Sequence, residues 1–133
     1  MADPHRLFST KLFPSSAPFS HVAMSRTGLA FISGLIGQAR DTGELVSAEL
    51  RPQAEAMFDN LTVLLAEAGL DARDLVRTTL YLTSYDDFAE INAIYRERLP
   101  EPHPARVTLQ VVGLPMGARV QIDAVIETAT GAG

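Results

Sequence analysis

Arg51 to Thr83 reads RPQAEAMFDNLTVLLAEAGLDARDLVRTTLYLT, and a change of hydrophobic period inside this stretch decides the fold. Ala54, Met57, Phe58, Leu61, Leu64, Leu65 and Ala68 recur at i, i+3, i+4 and i+7, the pattern of an amphipathic helix starting at Arg51. Pro52 suits the first turn, where a missing N–H costs nothing, and Gly69 suits the C′ position, where the backbone turns left-handed. From Leu75 to Thr83 the period falls to two. Val76, Thr78, Leu80 and Leu82 share one face of the predicted strand, and Arg77, Thr79, Tyr81 and Thr83 share the other.

Downstream, Ser84 is a plausible N-cap for a second helix, with Asp86 and Asp87 in the first turn, where the helix dipole favours negative charge. Phe88, Ile91, Tyr95 and Leu99 form its apolar stripe, and Pro100, Pro102 and Pro104 stop it. Two strands follow, Arg106 to Val112 and Ala118 to Thr128, joined by Gly113-Leu114-Pro115-Met116-Gly117. Upstream, a strand from Leu7 to Phe13 is broken by Pro14, Ser15, Ser16 and Pro18. His21 to Ser25 is a second strand, and Arg26-Thr27-Gly28 a turn. Leu29 to Ser33, closed by Gly34, is a third strand, and Asp41-Thr42-Gly43 another turn.

The order β-β-β-α-β-α-β-β predicts an α+β fold: a six-stranded, mainly antiparallel sheet with two helices on one face. Two helices cannot also cover the other face, which is expected to meet a partner subunit; Thr79, Tyr81, Thr108 and Gln110 suit a wet, close-packed interface. One domain is expected over residues 1–133, with frayed ends at Met1 to Pro4 and Thr130 to Gly133.

The net charge of −5 and the scatter of eleven basic residues argue against a nucleic acid or an anionic membrane as partner, since both need clustered cations. With no cysteine there is no disulfide, thiolate nucleophile or thiolate metal site. Met1 to Phe13 lacks the apolar core of a secretory signal, and no apolar run is long enough to span a bilayer, so a cytoplasmic location is the expectation. His5, His21 and His103 show no metal-ligand spacing and read as surface or loop residues; no phosphate loop or Ser/His/Asp signature appears. Neither a metal nor a cofactor is expected.

Arg106 demands an explanation. Alternation places it with Thr108 and Gln110 on one strand face, while Arg119, Gln121 and Asp123 share a face of the strand expected beside it. A guanidinium desolvated against a neighbour needs an anion, and its planar fork fits a carboxylate at two points. The competing reading is a salt bridge to Asp123, Glu127 or an acid of another subunit. Ser33 and Gly34 admit two readings also: a strand end followed by a bend, or a hydroxyl beside a backbone that a ligand can approach closely. Asn92 is either a pocket residue or a solvated helix residue.

Ser33-Gly34-Leu35-Ile36, Asp41-Thr42-Gly43, Gln53-Ala54, Asn60-Leu61 and Ala68-Gly69 occur in a familiar order. Asp74 to Thr83, Asp87-Phe88, Asn92, Tyr95, Pro104-Ala105-Arg106-Val107-Thr108, Leu114-Pro115 and Val120 to Ala124 continue it. From about Pro18 to about Thr128 the chain resembles the RidA/YjgF/UK-type (Rid) family of reactive-intermediate deaminases. The resemblance implies a chorismate-mutase-like fold and a homotrimer with pockets at the subunit interfaces. It implies hydrolysis of enamines and imines such as 2-aminoacrylate to 2-keto acids and ammonia. By position it makes Arg106 the carboxylate grip, Ser33 and Gly34 pocket residues, and Asn92 the helix asparagine. Three positions depart from the family pattern. The water-handling glutamate falls on Gln121, which orients a water but takes no proton. The frequent pocket cysteine is Thr108, and the frequent tyrosine is Phe19, which keeps the ring without the hydroxyl.

Overall fold

A computed structural model describes residues 5–128. The ends expected to fray, Met1 to Pro4 and Thr130 to Gly133, lie outside them. The elements run β1 (Arg6–Leu7), β2 (Val22–Met24), β3 (Leu29–Leu35), α1 (Leu50–Ala68), β4 (Leu75–Leu82), α2 (Phe88–Arg98), β5 (Ala105–Gln110) and β6 (Val120–Glu127). The strands form one mixed sheet in the order β1-β2-β3-β6-β4-β5, with β4 and β5 parallel and every other pair antiparallel. A parallel neighbour needs a crossover, and α2 provides it. The expected α+β architecture and element order are therefore present.

Both helices press their apolar stripes on one face of the sheet. Met57, Phe58, Leu61 and Leu64 of α1 and Ile91, Ile94 and Tyr95 of α2 join Ile32, Leu80, Val120, Ile122 and Ile126 in a single core. Gly69 ends α1 at φ 72°, with its N–H on Ala66 O and the Leu70 N–H on Leu65 O, a closure that only glycine adopts without strain. Two buried amides of α1 fasten the connections. Asn60 Nδ2 donates to Ile36 O and Gln38 O, and Gln53 bridges Ser47 O and Arg119 N.

Several local expectations change. The first strand pairs only over Arg6–Leu7; Ser9 then turns the chain, its hydroxyl accepting from Lys11 N and Leu12 N. Val76 does not share the core face with Thr78, Leu80 and Leu82: a bulge between Leu75 and Arg77 puts Leu75 in the core and leaves Val76 exposed. Ser84 caps a short 3-10 turn, Tyr85–Asp87, rather than α2 itself. Phe88 leaves the apolar stripe for the surface, and Ile94 takes its place in the core. The strand holding Gln121 is not beside the strand holding Arg106, since β4 lies between β6 and β5.

Candidate functional site

Register decides where the chemistry sits. Arg106 pairs with Thr78 and Thr108 with Leu80, and both partners are core residues, so Arg106, Thr108 and Gln110 lie on the helix-covered face at the sheet edge. Gln121 and Asp123 pair with Tyr81 and Thr79 on the opposite, uncovered face. The expectation that Arg106, Thr108 and Gln110 belong to the uncovered face is therefore corrected. Within one chain Arg106 and Gln121 occupy two separate half-sites.

At the first half-site, Arg106 is half-buried and held by neutral groups. Its Nε donates to Thr108 Oγ1 at 3.0 Å and its Nη2 to Asn92 Oδ1 at 2.5 Å. The guanidinium carbon lies 4.9 Å from the Tyr95 ring centroid and 5.7 Å from that of Phe88. Such stacking fixes the plane of the fork. Tyr95 is itself anchored by a 2.7 Å hydrogen bond with the buried Thr78 hydroxyl, and burial pushes its phenol above the usual tyrosine range. Among the described residues no carboxylate pairs with Arg106; Asp123, one of the candidates, accepts from Tyr81 on the other face. Asn92, Tyr95, Arg96, His103, Pro104 and Arg106 line a cleft of about 220 Å³, so two cations face an opening with no described anion. Asn92 is thus a partner of the arginine, not a solvated helix residue.

The second half-site is a cavity of about 410 Å³ at the end of β3, and its lining includes Phe19, His21, Gly34, Ile36, Met116 and Gln121. The β3–β6 register shifts between Ile32 and Leu35, which turns Gly34 toward the cavity. A Cβ at position 34 would stand 2.7 Å from Gln121 Nε2, so the bare glycine backbone is what gives the Gln121 amide its room. Ser33 is close by in sequence but not part of this lining; its hydroxyl donates to Ser20 O at 2.6 Å. Phe19 packs edge-on to His21 with ring centroids 5.0 Å apart.

His21 is the residue that the sequence hid. The expectation of a surface or loop residue holds in part: His21 stands in the bend before β2, but it is not at the surface, being 5 % exposed and lining this cavity. Isolated histidines carry no pattern, and only the folding of the Ser9 turn over the ring reveals it. No cluster of three or more metal-ligating side chains occurs among the described residues.

The family described as "Endoribonuclease L-PSP" matches residues 10–128. The Arabidopsis thaliana protein "Reactive Intermediate Deaminase A, chloroplastic" is 36% identical over 118 residues, 88% of this chain and 63% of that protein, so the chain spans less than two thirds of that relative. The Homo sapiens "2-iminobutanoate/2-iminopropanoate deaminase" is 37% identical over 122 residues, covering 90% of this chain and 88% of the relative. Among solved structures, E. coli TdcF with bound serine superposes with a TM-score of 0.83 at 26% identity, covering 93% of this chain and 99% of that one. The chain belongs to the Rid family, the Endoribonuclease L-PSP group. Its relatives include proteins named as imine deaminases. No helix of the described residues is long and apolar enough to cross a membrane.

Proposed function

We propose that this protein is a single Rid-type domain that hydrolyses 2-imino and enamine acids of the 2-aminoacrylate type to 2-keto acids and ammonia. The observation that carries this reading is the Arg106 guanidinium, oriented by Asn92, Thr108 and Tyr95 and paired with no described carboxylate. A prepaid orientation of this kind is what a carboxylate grip requires, because little of its binding energy is then lost to ordering. Serine, the ligand named with the TdcF structure, carries such a carboxylate.

The two half-sites are completed by a second copy of the chain, as in a homotrimer with pockets between subunits. The support is the uncovered sheet face, where Phe31 is 47% and Leu109 44% exposed beside Thr79, Tyr81, Gln121 and Asp123. The ligand's carboxylate then lies on Arg106 of one copy, with its imine carbon in the cavity of the other. Gln121 holds the attacking water there. The iminium is electrophilic by itself, so positioning and charge complementarity supply most of the catalysis.

The Gln121 amide favours a second reading, in which the same site binds a small carboxylate without turning it over. One experiment separates them: 2-aminoacrylate or 2-iminopropanoate is generated in place, and its loss is followed above the spontaneous rate. Acceleration by the wild type that vanishes in Arg106→Ala, with the oligomer intact, supports the deaminase. A folded protein that gives no acceleration but binds pyruvate through Arg106 supports the binding reading.

A further inference from the structure

Ser9 N lies 2.9 Å from His21 Nδ1. A backbone N–H only donates, so Nδ1 carries the lone pair and the proton of the neutral ring sits on Nε2. The ring cannot easily turn over. Phe8 packs on it with centroids 4.7 Å apart and Phe19 at 5.0 Å. Ser9 is held in turn, its hydroxyl donating to Glu67 Oε1 at 2.5 Å. Every buried side-chain nitrogen and oxygen among the described residues has a partner, and Nε2 has none among those residues; Nε2 therefore reaches solvent, and the ring lines the cavity that holds Gln121. Of the described side chains lining that cavity only His21 and Arg40 are ionisable.

We propose that His21 is a fixed hydrogen-bond donor of the cavity, presenting Nε2–H to an oxygen of the bound 2-imino or 2-keto acid and positioning it without exchanging its own proton. This rests on the carboxylate-site reading above and adds a residue to it. A histidine held in this tautomer is no general base: its one lone pair is committed to Ser9 N. Burial favours the neutral ring; Glu67 opposes this from α1, and Arg40 adds a positive charge from the cavity wall. The cavity wall thus sets the imidazole N–H beside other polar side chains, the Gln121 amide and the Arg40 guanidinium among them.

Two substitutions divide the ring's roles. His21→Asn keeps an acceptor at the Nδ1 position for Ser9 and removes the cavity donor. His21→Gln places an amide N–H near the Nε2 position and gives up the acceptor. If His21 is a positioning donor, pyruvate binding and kcat/KM for imine loss fall about tenfold in His21→Asn, the value of one hydrogen bond to a charged oxygen. His21→Gln then retains activity within about threefold of the wild type. A merely structural ring gives the reverse order and overturns the proposal. The wild type provides a readout independent of any variant's folding: its ¹⁵N histidine spectrum should show the Nε2–H tautomer of His21 from pH 7 to 8, with the Nε2 proton shifting on pyruvate addition. A charged ring at pH 7, an Nδ1–H tautomer, or a bound pyruvate that leaves this proton unmoved overturns it. Failure of the wild type to bind pyruvate at all overturns both this proposal and the carboxylate-site reading, whereas equal binding by wild type and His21→Asn overturns this one alone.

Discussion

Gly34 and Gln121 face each other across the β3–β6 register shift so closely that a methyl group on residue 34 would lie 2.7 Å from Gln121 Nε2 and 2.9 Å from Cδ. The contact is with the far end of a flexible side chain, so the amide can swing aside at small cost to the fold. Gly34→Ala is therefore expected to lower kcat/KM for imine loss by about tenfold or more through misplacement of the Gln121 amide. Its melting temperature should stay within a few degrees of the wild type. Calorimetry beside the coupled assay checks this, and unchanged kinetics would remove Gln121 from the reaction.

Arg106→Lys preserves the charge and loses the fork. An ammonium cannot serve Thr108 Oγ1 and Asn92 Oδ1 while lying flat on Tyr95 and still meet a carboxylate at two points. KM should rise at least about tenfold, with the oligomer intact. A lysine variant with wild-type KM would show that charge alone suffices.

Gln121→Glu restores a proton acceptor beside the held water. The imine-loss rate is expected to rise, on the scale of about 10- to 100-fold for a positioned general base. No rise in a folded variant would place the limit on the reaction elsewhere.

Phe31 projects from the uncovered face of β3, opposite Val125 of β6. A charge there cannot be buried against a second copy without a penalty of several kcal/mol. If the proposed trimer forms, Phe31→Asp should shift light scattering from its mass to that of the monomer and abolish turnover together, since each half-site then lacks its complement. A monomer that still turns over would show that one chain suffices.

His21 gives stability a pH dependence of definite sign. Its folded pKa lies below the usual histidine value, chiefly because burial penalises the charged ring, with Glu67 pulling the other way. The unfolded chain therefore takes up this proton first as pH falls, and the stabilisation is complete above the unfolded pKa of about 6.5 and lost as pH drops toward the folded one. The urea midpoint should decrease between pH 7.5 and 5.5, and this slope should flatten in His21→Asn. A wild-type midpoint that is flat over the same window would rule out a depressed folded pKa.

The helix within Arg51 to Thr83, its stop at Gly69 and the strand beyond were legible because period and capping are local properties, written in neighbouring residues. The α+β class followed from element order, and the family from motifs whose spacing the chain carries within itself. Local pattern failed where one residue's surplus changed a face: the bulge at Val76 traded it for Leu75, and Phe88 left the core to cover Arg106. Only the tertiary structure decided that β4 separates β5 from β6, and that the two registers on β4 put Arg106 and Gln121 on opposite faces of one sheet. Only it could place His21, because a ring's tautomer and burial depend on Ser9 and Phe8 arriving from the turn that follows β1. Sequence fixes what each residue prefers among its neighbours along the chain, whereas strand order and burial come from long-range contacts that no local period encodes.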